Sequence, residues 1–158
     1  MTITVGVAKT EAKIKSARDY FNPKNLKTVK KCNDLYKKAN KYYKKKDYEN
    51  AIEQYEKFIG LNTFDFDSFM ELGISYFEVG KLNDSIQNLK KAKELRDLTY
   101  VNTKLAEIFL KKSVNVTAKL RRKNWAEAAR YLDAIEVEGE YAEKIQNLRE
   151  FMRGVKRA

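Results

Sequence analysis

The sequence contains no histidine, one cysteine, one proline and only six glycines among its 158 residues. Without histidine there is no imidazole general base, no Ser–His or Cys–His nucleophile pair and no histidine-ligated metal. Cys32, being alone, can form neither an intrachain disulfide nor a multi-thiolate zinc site. So little turn material argues against an all-β sandwich with many tight turns. No apolar run approaches the ~18 residues of a membrane span. The opening MTITVGVAKTEAK lacks the basic start and apolar stretch of a secretory signal, so the expected compartment is the cytoplasm. No glycine-rich phosphate loop occurs. Glu136, Glu138 and Glu140 have no partners arranged for acid–base chemistry and read as an acidic turn. A non-enzyme without cofactor or metal is expected.

Hydrophobic residues make up 43% of the chain and 19 residues are aromatic (10 Tyr, 8 Phe, 1 Trp), enough for a core. The formal charge is +11, from 33 Lys and Arg against 22 Asp and Glu. It is unevenly spread. Residues 1–31 carry +6 and residues 100–123 carry +6, while the rest is close to neutral. The wealth of Lys, Asn, Tyr and Ile fits an AT-rich coding sequence, but codon bias does not account for the segregation. Excess positive charge favours acidic partners; it bears on association, not on fold.

The segment DLYKKANKYYKKKDYENAIEQYEKFIGL (34–61) aligns with SFMELGISYFEVGKLNDSIQNLKKAKEL (68–95) at a spacing of 34 residues. Leu35 pairs with Phe69, Ala39 with Gly73, Tyr42 with Tyr76, Ala51 with Ser85, Tyr55 with Leu89, and Phe58 with Ala92. Small residues recur where small ones stood, and large apolar ones where large ones stood. A fixed period of this size marks an array whose units bury their apolar faces against one another. Within each unit the i, i+3, i+4, i+7 pattern predicts two helices. Asp47 and Asp65 are placed to cap helix starts. Asp67 sits near the positive end of its helix dipole. Gly80 breaks the pattern between two helices. Gly73, at a cost of ~1 kcal/mol against Ala in a helix, implies a close helix–helix contact.

In LGISYFEVGKLNDSI and KANKYYKKKDYENAIEQYEKFI the chain resembles the tetratricopeptide repeat family over residues 32–98. It shares the 34-residue helix-turn-helix, the small residue in the first helix with an aromatic three residues later, and the Ala of the second helix. It departs from the family where Thr63 and Asp97 replace the proline that often closes a repeat, and where Ser85 replaces Ala. The resemblance implies an all-α, right-handed α-solenoid of about three helix-turn-helix repeats with an N-terminal extension and a C-terminal capping helix.

The expected organisation is a basic extension at 1–31, repeats at 32–65, 66–98 and 99–138, and a cap at 139–158. In the third unit KLAEIFL places Leu105, Ala106 and Phe109, and NWAEAARYLDAI places Trp125, Ala128, Leu132 and Ile135, at core positions. Ala106 and Ala128 lie 22 residues apart, against 12 in the other units, so ten residues are inserted near 112–123. A surface loop is the expectation there, with Asn124 and Glu127 forming a capping box after it. Tyr141, Ile145, Leu148 and Met152 form the stripe of the capping helix. Asn22 and Pro23 suit a helix start, and Leu26, Val29 and Cys32 carry the stripe on into the first repeat. Ile14, Ala17 and Phe21 suggest a further short helix. Ile3, Val5 and Val7 alternate as in a strand.

The resemblance also implies a function. First helices line a concave groove that takes a peptide or helix, so the chain is expected to be a protein-binding scaffold or adaptor. The groove positions are Asn33, Tyr36, Lys37, Asn40, Tyr43 and Lys44; Asp67, Met70, Glu71, Ile74, Phe77 and Glu78; and Thr103, Lys104, Glu107, Leu110 and Lys111. Tyr36, Tyr43, Ile74 and Phe77 are expected to be exposed anchors with a polar rim. Asn40 matches the amide of the family's carboxylate clamp. The clamp's paired cations are not reproduced, because Tyr36 and Glu71 stand in their region. Lys112, Lys119, Arg121, Arg122 and Lys123 form a basic patch suited to an acidic protein, with nucleic acid as the alternative and anionic lipid heads chemically equivalent. Lys37 to Lys46 also mixes cations with aromatics, although Tyr42 belongs to the core. Stacking of terminal repeats makes self-association a further expectation. Cys32 and Trp125 read as structural.

Overall fold

The computed structural model describes residues 23–61, 65–135 and 141–156. The alternation at Ile3–Val7, the short helix around Ile14–Phe21, Asn22, Thr63 and the acidic turn Glu136–Glu140 lie outside them. The described residues form seven helices and no strand: α1 (Pro23–Lys44), α2 (Tyr48–Ile59), α3 (Phe66–Glu78), α4 (Leu82–Leu95), α5 (Thr99–Lys111), α6 (Ala118–Asp133) and α7 (Ala142–Lys156). The fold is all-α, of the helical-repeat class to which α-solenoids belong. None of these helices is long and apolar enough to cross a membrane. The chain divides into two compact units, Met1–Leu95 and Arg96–Ala158.

In the first unit α1 packs on α2, α2 on α3 and α3 on α4. The periodicity of the sequence appears directly in the backbone. Lys46 N–H donates to Tyr43 C=O (2.9 Å) and Asp47 N–H to Tyr42 C=O (3.0 Å). Thirty-four residues later Gly80 N–H donates to Phe77 C=O (3.0 Å) and Lys81 N–H to Tyr76 C=O (2.9 Å). Both ends follow the same helix-terminating pattern, with a left-handed residue that lets the chain reverse: Gly80 has φ +79° and Lys46 φ +61°. Asp47 then caps α2, accepting from Asn50 N–H. Asp65 occupies the N-cap of α3, but its carboxylate accepts from Ser68 Oγ (2.8 Å) and not from a backbone amide.

The core of this unit joins Ala39, Ala51, Ile52, Tyr55, Leu72 and Tyr76. Gly73 meets Leu89 so closely that an added Cβ would lie 2.7 Å from Leu89 Cγ and 3.2 Å from its backbone nitrogen. Ser85 is fully buried and donates to Gly73 C=O (2.6 Å), so the departure from Ala supplies one more tie across the same contact. Cys32 is buried among apolar groups, which pushes its thiol pKa up.

The second unit pairs α5 with α6 and adds α7. Its core holds Leu105, Ala106, Ala128, Leu132, Ile135, Ile145 and Met152. Phe109 stacks on Tyr131 at 5.9 Å between ring centroids. Here the structure corrects the expected surface loop. Six residues, Lys112–Thr117, separate α5 from α6, where Lys45–Asp47 make up three in the first repeat. Ala128 is the eleventh residue of α6, whereas Ala51 and Ser85 are each the fourth residue of their helices. The ten inserted residues are thus three in the turn and seven in the helix. Seven residues are close to two turns of 3.6 residues, so the added length leaves the core face of α6 in phase.

Asn124 is accordingly not a cap. It lies buried inside α6, and Thr117 takes the N-cap instead, accepting from Leu120 N–H. The Asn124 amide donates to Lys112 C=O (2.8 Å), and Trp125 Nε1 donates to Ser113 Oγ (2.9 Å). These bonds fasten the longer turn to the flank of α6 and satisfy a carbonyl that the end of α5 leaves free.

Two substitutions test the helix contacts. Gly73→Val and Ala51→Leu should each lower unfolding free energy by roughly 1–3 kcal/mol, because Gly73 faces the backbone of Leu89 and Ala51 is completely buried in the core cluster. Urea unfolding followed by circular dichroism measures both. Unchanged midpoints would contradict the packing described.

Candidate protein-binding surface

One face of α1 carries Asn33, Tyr36, Lys37, Asn40, Tyr43 and Lys44 at helical spacing. One face of α3 carries Asp67, Met70, Glu71, Ile74, Phe77 and Glu78. A chain of hydrogen bonds through α2 holds these faces side by side. Asn40 Oδ1 accepts from the Tyr55 hydroxyl at 2.9 Å, and that hydroxyl also makes a short contact with Glu71 Oε2. Tyr55 itself is completely buried. Its ring lies edge-on to Tyr43 at 6.5 Å, and Tyr36 packs on Phe58 at 5.4 Å.

The network has one proton too few when Glu71 is ionised. The Tyr55 hydroxyl can donate once, either to the carboxylate or to Asn40. Protonated Glu71 donates to Tyr55, which is then free to donate to Asn40, and every group is satisfied. Glu71 is set up for this. Burial pushes its carboxyl pKa up, and Asp67 and Asp65 add to the effect, while the Tyr55 hydrogen bond and Lys44 oppose it. Burial also raises the Tyr55 hydroxyl far above its usual range, as do the hydrogen bond and charge of Glu71. Tyr36 is raised by burial as well, with Glu71, Asp65 and Asp67 contributing.

The expected positions divide by exposure. Asn33, Lys37, Lys44, Asp67 and Glu78 are exposed, and Tyr36, Asn40, Tyr43, Met70, Glu71 and Phe77 are half-buried. Ile74, expected as an exposed anchor, is only 6% exposed and belongs to the core. In the second unit Thr103 and Leu110 are likewise buried, Thr103 donating to Thr99 C=O (2.8 Å). Lys104 and Glu107 are engaged inside the unit: Glu107 pairs with Lys104 at 3.3 Å and with Lys144 of α7 at 3.0 Å. Burial pulls the Glu107 pKa up, but the Lys144 hydrogen bond and the two lysine charges outweigh it and hold it low. Lys112 is half-buried, whereas Lys119, Arg121, Arg122 and Lys123 are exposed on the two added turns of α6.

Two residues escaped the sequence. Tyr55 reads as a plain core position. The available signal was that its partner 34 residues on is Leu89, so its hydroxyl is surplus to packing. Arg149 reads as an outward residue of α7, yet it donates to Leu132 C=O (2.5 Å) and Ile135 C=O (3.1 Å) at the end of α6.

Residues 35–65 match the tetratricopeptide repeat family. The chain therefore contains a tetratricopeptide repeat over these residues. No curated protein matches it. Tetratricopeptide repeats generally mediate protein–protein interactions. The matched segment contains the α1 half of the surface described above except Asn33, together with Tyr55.

The Glu71 pKa shift has a definite sign. A carboxyl whose pKa is raised by folding contributes stability below its unfolded pKa and loses it as pH rises through the folded value. Glu71→Gln keeps a donor for Tyr55, its amide N–H standing in for the protonated carboxyl, and removes the titration. The variant should therefore be more stable than the parent at neutral pH, with the difference shrinking as pH falls through the carboxylate range. Urea midpoints at several pH values measure this. A difference independent of pH would contradict the buried-carboxyl account.

Proposed function

We propose that this chain is a non-catalytic adaptor that holds an extended or helical segment of a partner protein along the α1–α3 face of its first unit. The observation that carries the reading is the combination of half-buried Tyr36, Tyr43, Met70 and Phe77 with a polar floor of Asn40 and Glu71 pre-set by Tyr55. Rings already packed on one side lose little freedom on binding, which is how aromatic anchors gain affinity. The charge on this face is divided. Lys37 and Lys44 lie on α1, while Asp67 and Glu78 lie on α3. A fitting segment carries acidic groups toward α1 and basic groups toward α3.

A preference for acidic partners rests on the second unit instead. Lys119, Arg121, Arg122 and Lys123 stand on helix length that the repeat does not need for packing, and exposed charge of one sign steers encounters more than it adds affinity. Lys112, half-buried in the turn, contributes least to such a field.

Selection of random peptides against the full chain tests the groove. Enriched peptides should lose binding to Tyr43→Ala combined with Phe77→Ala, and also to Lys37→Glu combined with Met70→Glu, which alters the face with less effect on packing. Binding that survives both double variants would place the partner elsewhere.

A further inference from the structure

We infer that the outward face of α1 is a binding surface for a nucleic-acid duplex, engaged through its phosphates and distinct from the α1–α3 face except at Lys37, which borders both. Lys27, Lys30, Lys31, Lys37, Lys38 and Lys41 are all exposed. At 100° per residue they fall within about 120° of the helix circumference, and at 1.5 Å per residue they extend over about 21 Å. The only acidic residue among them is Asp34. The core side of the helix is complete without them, through Cys32, Ala39 and the rings of Tyr42 and Tyr43.

A solvated helix face needs polarity, not one sign of charge, and the same unit shows what an ordinary one looks like. Exposed Glu53, Glu56 and Lys57 mix on α2, and so do Asp84, Lys90 and Glu94 on α4. Coding bias acts on all three helices alike, so it does not explain why α1 differs. Like charges at i, i+4 also oppose helix formation, as at Lys27–Lys31 and Lys37–Lys41.

The chemistry of the face selects the occupant. It offers no apolar side chain to enter a bilayer, so a membrane has nothing to hold beyond its surface charge. It offers no aromatic ring for an unpaired base and no amide or guanidinium fork for a base edge. What it has is a band of flexible ammonium groups along the helix, and its complement is an array of anions at close, regular spacing. A duplex carries one negative charge per about 1.7 Å of axis, so about 12 phosphates lie along the length of this row. Such contacts position a protein on a duplex without reading its sequence.

Fluorescence anisotropy of the full chain with a mixed-sequence DNA duplex of roughly 20 base pairs, titrated over salt concentration, tests this. Binding at low salt should show a log–log slope approaching about −5 for six engaged lysines. Lys30→Gln with Lys38→Gln and Lys41→Gln should flatten the slope by about 2.7 and weaken binding about tenfold or more at the lowest salt. Gln is nearly as good a helix former as Lys, so α1 survives the change. Tyr43→Ala combined with Phe77→Ala should bind DNA like the parent, which separates this surface from the groove. Absence of binding at low salt, an unchanged slope in the triple variant, or tighter binding to phosphatidylserine vesicles or to poly-glutamate than to the duplex would each overturn the inference.

Discussion

The first unit depends on how closely two helices approach at Gly73. With only hydrogen on its α-carbon, α3 lets the side chain and backbone of Leu89 come within a distance that no Cβ tolerates. Ser85 uses the same closeness to reach the Gly73 carbonyl. Ala39 and Ala51 hold the equivalent places in the preceding pair and are fully buried. Because side chains here are small, the larger ones on either side, Tyr55, Leu72 and Tyr76, interlock in one cluster and fix the spacing of α1, α2 and α3. The proposed binding face inherits that spacing. Tyr55 can touch Asn40 on one helix and Glu71 on another only because the pairs close this tightly.

A buried hydroxyl between an amide and a carboxylate makes the floor of that face stiff and electrically unusual. Core hydroxyls are costly without partners, so once Tyr55 is placed the neighbours must answer it. Asn40 and Glu71 do. The half-buried tyrosines beside them are held by ring contacts within the unit. The positive charge of α1 lies mainly on another side of the same helix. The two proposed surfaces therefore share an element and one bordering side chain, Lys37, while Lys30, Lys38 and Lys41 belong to the charged side alone.

The insertion in the second unit shows how a repeat accepts extra residues. A count that is not close to whole helical turns would rotate the core stripe of α6 away from α5, so the seven helical residues and the three turn residues are a natural partition. The helix resumes in phase, Ala128 and Leu132 face the core, and Asn124 and Trp125 become available to tie down the longer turn. A ten-residue loop is the natural expectation because sequence spacing counts inserted residues but does not say whether they continue a helix. Likewise, Asn124 followed by Glu127 has the form of a cap, and only the two turns that precede it in space show that the position is interior.

By itself the sequence determined the all-helical class, the 34-residue period, the small residues at the pair contacts, the reversal at Gly80, the cap at Asp47 and the uneven charge. All of these are local or periodic, so they survive in one dimension: a helix repeats every 3.6 residues, and a repeat that cannot bury its face alone must recur. The tertiary structure decided the rest. It set Ile74 in the core and not on the groove, gave Lys104 and Glu107 to each other and to Lys144, and turned Arg149 back onto the end of α6. It made Tyr55 the link between two helices whose facing residues are 31 positions apart in the chain. Which face of a helix is covered, and which polar group finds a partner, depends on what lies across the gap, and neither spacing nor composition records that.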